Sequence, residues 1–206
     1  LHLGIVTLIP QAIKKWLTVS DECLDMKSDE FIMYVYDELG HRIAKAAADI
    51  VVAKIAALPQ TSTATAPYAA KITLAPSATT MVNAVANLSD EATNNVAIMN
   101  KLTWADFKSI TTGDGYPLQD PFAGLVVLFN NSLKAYSAAS EGEVYAIVGD
   151  LASGFRANFP NGEEIKIKMD DLSLAEADLV KFVGRKYVAL EAVAPGRFTL
   201  IAKPEE

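Results

Sequence analysis

Two aspartates and two glycines lie close together in residues 111–121, which read TTGDGYPLQDP. Asp114 flanked by glycines, with Asp120 six residues later, could form a metal or phosphate loop, because carboxylates bind cations and glycine-rich backbone amides bind phosphate. The aspartates lack the EF-hand spacing, and Pro117 interrupts the segment. The glycines also follow a predicted helix, where the backbone presents carbonyls. The pattern therefore favours a corner in which Gly113 ends the helix, and we expect Asp114 to be exposed and without a ligand.

Nucleophilic catalysis is the second chemistry to consider, and it needs a histidine base beside a serine or cysteine. The chain contains two histidines and one cysteine. His2 lies at the beginning of the chain, and His41 lies in a long predicted helix where a solvated face is the ordinary explanation. Cys23 has no histidine nearby in the sequence, so we interpret it as a small buried hydrophobic side chain.

Acidic pairs could indicate metal binding or paired acid and base groups. Neighbouring residues point to opposite faces of a strand and diverge by about 100° on a helix, so the pairs favour surface charge. No nucleotide-binding glycine motif occurs. We therefore predict no catalytic residue, no cofactor and no metal site. The acidic pairs are Asp37–Glu38, Glu163–Glu164 and Asp170–Asp171.

Composition narrows the class of protein. The 206 residues are 51% hydrophobic, enough for a substantial core, and the net charge is −7. Lys and Arg are scattered along the sequence without a long basic run, so we expect no basic face and no sequence-specific nucleic-acid binding. The longest uncharged run, Ile72–Ser89, contains Pro76 and many polar residues, which excludes a membrane helix there. Because the chain starts with Leu1 rather than Met, we expect that an N-terminal portion precedes it.

The elements that must position these residues follow from periodicity. Apolar residues recur every three or four positions between Asp29 and about Leu58, which predicts a helix of nearly thirty residues that serves as a spine. Pro59 ends it. Residues 3–9 predict a strand, and residues 19–26 predict a short helix capped by Ser20.

The remaining segments predict a mixed α+β order. Residues 59–76 read as a connector, residues 77–88 as a helix, and residues 95–100 as a short buried strand. A helix capped by Thr103 follows. Two continuous apolar strands, covered on both faces, are then predicted at 124–129 and 143–149, with antiparallel strands from residue 163 onward.

Several of these segments resemble the major capsid proteins of tailed bacteriophages of the Hong Kong 97 type, from phage or prophage. The order and spacing of the motifs, over nearly the whole chain, carry the resemblance. The motifs are Val96–Asn100 with Thr103 and Trp104, Asp114–Leu118, Tyr36–Ala46 in the spine, Ala146–Asp150, and Arg185–Leu190 followed by Val193–Phe198.

The resemblance implies a subunit with two lobes. A peripheral lobe, residues 1–58 and 153–186, would hold the spine helix 29–58 and an antiparallel sheet. An axial lobe, residues 59–152 and 187–206, would hold a central sheet flanked by helices. The resemblance also implies that an N-terminal arm and an extended hairpin loop precede Leu1, and that residues 130–137 lie toward a five-fold or six-fold axis.

The function implied is that of a structural subunit that forms pentamers and hexamers of an icosahedral head around double-stranded DNA. Such a protein is not an enzyme, is assembled in the bacterial cytoplasm and resides in the virion capsid. Its partners would be itself and scaffold, protease or portal proteins, without a membrane. Two alternatives stay open: an encapsulin-like nanocompartment shell, and a small α+β enzyme or binding protein with an unrecognised site.

Overall fold

A computed structural model describes residues 6–25, 29–60, 66–111, 120–160, 162 and 164–205. The helices are α1 (Asp21–Asp25), α2 (Asp29–Ala56), α3 (Thr80–Ala86), α4 (Lys101–Lys108) and α5 (Leu151–Gly154). The strands are β1 (Gln11–Ser20), β2 (Ala69–Thr73), β3 (Asn95–Met99), β4 (Val126–Phe129), β5 (Val144–Asp150), β6 (Phe155–Asn158), β7 (Lys166–Asp170), β8 (Leu179–Ala192) and β9 (Phe198–Ala202). Short 3₁₀ helices cover Tyr136–Ala138 and Ala175–Ala177.

The chain divides into two compact units. The long-helix unit contains Leu8–Ile50 and Ala157–Leu190, and the five-stranded unit contains Val51–Arg156 and Glu191–Glu206. Both α2 and β8 run from one unit into the other. Each unit has its own apolar cluster, as expected of separately packed lobes.

The long-helix unit is built on β8, which pairs antiparallel with β1 along one edge and with β7 along the other. Val35 and Leu39 of α2 pack against Val180 and Phe182 of β8, and this apolar contact fixes the helix on the sheet. Gly184 permits the next turn of α2 to approach, since a Cβ there would lie only 3.1 Å from Cδ1 of Ile43. The spine is thus confirmed as a helix packed on a long antiparallel sheet.

The five-stranded unit has the strand order β2-β9-β5-β3-β4. The pairs β2–β9 and β3–β4 are parallel, whereas β9–β5 and β5–β3 are antiparallel. All five β9 residues and six of the seven β5 residues are buried, as expected for inner strands covered on both faces. Tyr145 is fully buried, and its hydroxyl donates a 2.6 Å hydrogen bond to the carbonyl of Leu74. The two strands predicted at 95–100 and 143–149 lie side by side in this sheet, paired from Asn95↔Asp150 to Met99↔Ala146.

Some predicted boundaries are wrong at the N-terminal end. The predicted strand 3–9 lies partly outside the described residues, and its described part, residues 6–9, is not in a strand. The strand instead begins at Gln11, because pairing with β8 selects the segment. Only Asp21–Asp25 of the predicted helix 19–26 is described as helix, because Val19 and Ser20 still belong to β1.

The connector prediction for residues 59–76 missed β2. Ala69–Thr73 is short and rich in alanine, a weak strand signal, yet it pairs with β9 from Ala69↔Phe198 to Thr73↔Ala202. Tertiary pairing therefore overrides local propensity in this segment.

The capping prediction at Thr103 is also wrong. Asn100 is the N-cap of α4, and its side chain accepts a 3.0 Å hydrogen bond from the amide of Leu102. Thr103 lies inside the helix and is fully buried, where its hydroxyl oxygen accepts a hydrogen bond from the amide of Tyr136 at 3.0 Å. Thr103 thus holds the segment after β4 against α4.

Candidate functional site

The corner that contains both aspartates is described only at its ends. Asp114 and Gly113 lie outside the described residues, so the exposure expected for Asp114 stays a prediction. Asp120 is described, and its carboxylate accepts hydrogen bonds from Lys108 at 2.7 Å and from the amide of Phe122 at 3.1 Å. Those two bonds lower the pKa of Asp120. The Asp120 carboxylate therefore connects the turn that begins at Asp120 to the last residue of α4, Lys108.

The candidate nucleophile and base do not form a described catalytic pair. His41 is exposed on α2 and lines an open groove with Tyr36, Asp37 and Gly40. Cys23 lies in α1 and is partly buried. His2 lies outside the described residues. The solvated-face interpretation of His41 agrees with its exposure.

The acidic pairs serve local structure. Glu38 forms a 2.7 Å salt bridge with Arg42 one turn later on α2. Asp170 accepts hydrogen bonds from Ser173 and from the amide of Leu172, and these bonds lower its pKa. Glu163 lies outside the described residues. Among those the structure describes, no group of three or more His, Cys, Asp or Glu side chains is arranged to hold a metal ion.

Asp150, the most buried of the described carboxylates, is the N-cap of α5. Its two oxygens accept backbone hydrogen bonds from Ala152 at 3.0 Å, Ser153 at 3.2 Å, Thr93 at 3.2 Å and Asn94 at 3.4 Å. Burial opposes ionisation, but the hydrogen bonds from Ser153, Asn94 and Thr93 outweigh it and lower the pKa of Asp150. This carboxylate joins β5, α5 and the segment before β3, and its role is structural.

The feature that requires a partner is an apolar sheet edge. Strand β4 pairs only with β3 among the described strands, and its outer edge is unpaired. Val126 and Phe129 are 62% and 46% exposed, and Leu102 on the neighbouring helix is 63% exposed. The Phe129 ring meets Trp104 edge-on at 6.0 Å, which holds it in place. An unprotected apolar edge of this kind is a template for association.

The sequence reasoning placed this strand in the interior. A continuous apolar run predicted coverage on both faces for residues 124–129, whereas three of the four β4 residues are exposed. Hydrophobicity cannot distinguish a strand covered within the chain from one covered by another chain, since both must lose water. The shortness of the run and the Asn130–Asn131 pair directly after it were the available signals of an edge.

A second exposed apolar group lies on the long-helix unit. On the first half of α2, exposed side chains occupy positions outside the stripe that faces the sheet. They are Met33, Tyr34 and Tyr36, with Ile32 at the margin. Within the described ranges, every helix is too short or too polar to cross a membrane. Both units therefore present surfaces suited to contact with other protein chains.

Comparison with known proteins agrees with a role in assembly. Residues 2–202 match the model of the phage capsid family. No curated protein matches the sequence significantly. Among solved structures, the chain is similar to the capsid of an empty GTA particle computed with C5 symmetry, at 16% identity and a TM-score of 0.76, over 97% of this chain and 75% of that chain.

Matches to two phage structures cover similar shares of this chain. A structure from Microbacterium phage Oxtober96 matches at 16% identity and a TM-score of 0.66, over 96% of this chain and 73% of that chain. A structure from Gordonia phage Cozz matches at 14% identity and a TM-score of 0.62, over 97% of this chain and 71% of that chain.

The resemblance to capsid proteins of the Hong Kong 97 type and the α+β fold it implied are confirmed, and the nanocompartment alternative is not favoured. Because the family match spans almost the whole chain, the exposed edge and helix surfaces belong to a protein that works by contacting copies of itself. The chain belongs to the phage capsid family and is a structural major capsid subunit of the virion.

Proposed function

We propose that copies of this chain close into rings of five and six, and that these rings build an icosahedral head around double-stranded DNA. Heterologous contacts, in which one face of a subunit meets a different face of the next, close into rings when the rotation allows it. The C5 symmetry of the similar GTA capsid supports five-fold rings. The role is structural, without catalysis.

The two units correspond, in this proposal, to the two lobes implied by the family. The long-helix unit is the peripheral lobe, and the five-stranded unit is the axial lobe. The resemblance placed the lobe boundaries after residue 58, at about residue 153 and at about residue 187, and the compact units divide after Ile50, Arg156 and Leu190. Residues 130–137, which follow β4, then lie toward the ring axis.

The exposed β4 edge is the observation that carries the proposal. Strand β4 has no strand partner on its outer edge among the described residues, and its side chains Val126 and Phe129 are 62% and 46% exposed. A monomer that kept this edge in water would lose the stabilisation available from burying it, about 25 cal/mol per Å² of apolar surface. A neighbouring subunit can cover it.

Substitution of the edge tests this proposal. Val126→Lys places a charge on the edge strand and should block ring closure. Val82→Lys is the matched control, because Val82 is 64% exposed in the same unit but on α3. We expect sedimentation and electron microscopy to show rings or shells for the wild type and the Val82 variant, and small species for the Val126 variant. A wild-type protein that stays monomeric at high concentration contradicts the proposal.

Assembly is proposed to take place in the bacterial cytoplasm with the help of scaffold, protease and portal proteins. This part rests on the family alone. Co-purification of such proteins with shells from infected or induced cells would test it, and heads that form from the pure subunit alone would show that a scaffold is unnecessary.

A further inference from the structure

In the long-helix unit, five cationic side chains from three strands lie on the face of the sheet opposite α2. Lys14 of β1, Arg185 of β8 and Lys166 of β7 form one cross-strand row, because Lys14 and Lys166 both pair with Arg185. Lys168 pairs with Val183 and lies two residues further along β7. Lys181 of β8 pairs with Asp170. These five residues are called the basic face.

Strand alternation places all five side chains on the same side of the sheet. Residues directly opposite each other in a sheet project to the same face, and so do residues two apart along a strand. The opposite side holds Val180 and Phe182, which pack against α2. Lys166, Lys168 and Arg185 line one shallow depression together with Val183 and Tyr187, which agrees with this assignment.

The charges of the basic face are only partly balanced within the described chain: Asp170 lies opposite Lys181, whose charge contributes to the lowered pKa of Asp170. None of the five cations forms a salt bridge with a described residue, whereas five other pairs of charged residues do. Asp170 is the one carboxylate in the paired rows, and Ser173 and the amide of Leu172 already hydrogen-bond to it. Five cations and one carboxylate leave four net positive charges on a protein whose total is −7. The expectation of no basic face is therefore wrong.

An aromatic side chain lies among the cations. Trp16 pairs with Val183, is 58% exposed, and has the Lys181 ammonium 5.2 Å from its ring. Trp16 also supplies a fluorescent reporter on the face itself.

We propose that the basic face binds the phosphate backbone of duplex DNA without sequence preference. The inference rests on the proposed function, which brings packaged DNA within reach of the subunit. Strand spacing of about 4.8 Å and a rise of about 3.3 Å per residue place the five Cα positions within roughly 10 by 13 Å. Each strand of a duplex carries one phosphate for every 3.4 Å or so of helix axis, hence about four phosphates per strand over that length of axis.

The density of charge favours phosphate over an acidic protein segment. An extended acidic peptide presents alternate side chains to one face, so it offers at most one carboxylate per roughly 6.7 Å. Duplex DNA carries one charge per about 1.7 Å of helix axis when both strands are counted, which is about four times that linear density. Protection of the sheet edges against aggregation is another use of surface lysines. That use would place cations on the edge strands alone, yet Lys181 and Arg185 lie on the inner strand β8.

Fluorescence anisotropy with a labelled 30-base-pair duplex of arbitrary sequence tests the proposal. Lys166→Gln with Lys168→Gln removes two cations from the basic face. The matched control is Lys15→Gln with Lys45→Gln, two exposed lysines of the same unit that line a different depression. We expect the face variant to bind at least about tenfold more weakly at 0.1 M salt, and its log–log salt slope to be shallower by about 1.8. The control should keep the wild-type slope.

Further measurements give the proposal other ways to fail. In a Trp104→Phe background Trp16 is the one remaining tryptophan, and saturating duplex should change its emission. Poly-glutamate should compete at least tenfold less well than duplex at equal charge concentration. Equal loss of DNA binding in both lysine pairs, no response of Trp16, or equal competition by poly-glutamate each overturns the proposal.

Shell formation is scored separately by electron microscopy. If the wild type forms shells but binds DNA no better than the face variant, this inference is overturned and the proposed function stands. Subunits that bind DNA through Lys166 and Lys168 but never form rings support the DNA site and overturn the proposed function.

Discussion

The backbone of Arg197 passes so close to Gly149 that a Cβ atom added to Gly149 would lie 2.3 Å from the carbonyl oxygen of Arg197. The same oxygen accepts a 3.0 Å hydrogen bond from the amide of Asp150. The Gly-Asp pair at the end of β5 therefore has a physical explanation: the glycine permits contact with the β9 side of the sheet, and the aspartate caps the next helix.

Gly149→Ala should destabilise the five-stranded unit. The added methyl group meets backbone rather than a flexible side chain, so we expect a loss of about 2–3 kcal/mol in the free energy of unfolding, measured in urea by circular dichroism. Gly40→Ala is a control for which the opposite sign is expected. Gly40 lies within helix α2, and its added Cβ would lie at an ordinary contact distance of 3.7 Å from Cδ1 of Ile165. The free energy of unfolding should therefore rise by about 0.5–1 kcal/mol. Equal stabilities of the Gly149 variant and wild type would contradict this explanation.

Asp150→Asn should weaken the junction between β5 and α5. An amide nitrogen cannot accept from Thr93 and Asn94, so the variant leaves backbone donors unpaired and should cost about 2 kcal/mol at pH 7. Asp171→Asn, on an exposed carboxylate, should cost almost nothing.

The pH dependence of the Asp150 effect has a definite sign. The pKa of Asp150 in the folded protein is below its ordinary value of 3.8, so its contribution is complete above that value and is lost as the pH falls through the folded pKa. The stability difference between wild type and Asp150→Asn should therefore shrink below about pH 4. A difference that stays constant from pH 7 to pH 3 would show that the charge is irrelevant.

Thr103→Val should destabilise the contact between α4 and the segment after β4. Valine keeps the shape but removes the oxygen that accepts from the amide of Tyr136, and a buried unpaired donor costs about 1–3 kcal/mol. Thr103→Ser keeps the hydroxyl and loses one methyl group, for which about 0.8 kcal/mol is expected. Thermal unfolding should rank wild type above the serine variant and the serine variant above valine; the reverse order of the two variants would refute the role of the hydroxyl.

The spacing of apolar residues predicted those elements whose buried side chains can be identified from a single segment of the sequence. α2 was predicted as Asp29 to about Leu58 and is observed as Asp29–Ala56, because apolar residues recur at helical spacing and Pro59 stops the helix. β5 was predicted from a continuous apolar run and is buried as expected. In the second half of α2 the spacing of Leu39 and Ile43 continues to Ile50 and Ala53, but the buried residues there are Val52 and Ile55. The helix passes there from one unit into the other.

The amino-acid sequence by itself determined the mixed fold class, the long helix, the inner strands and, through the order of its motifs, the capsid resemblance. Only the tertiary structure decided that β4 is an exposed edge and that Lys14, Lys166 and Arg185 share one row. Hydrophobic and charged residues reveal their local period, but not which distant strand lies beside them. Cross-strand register decides that, and register depends on the packing of the whole sheet.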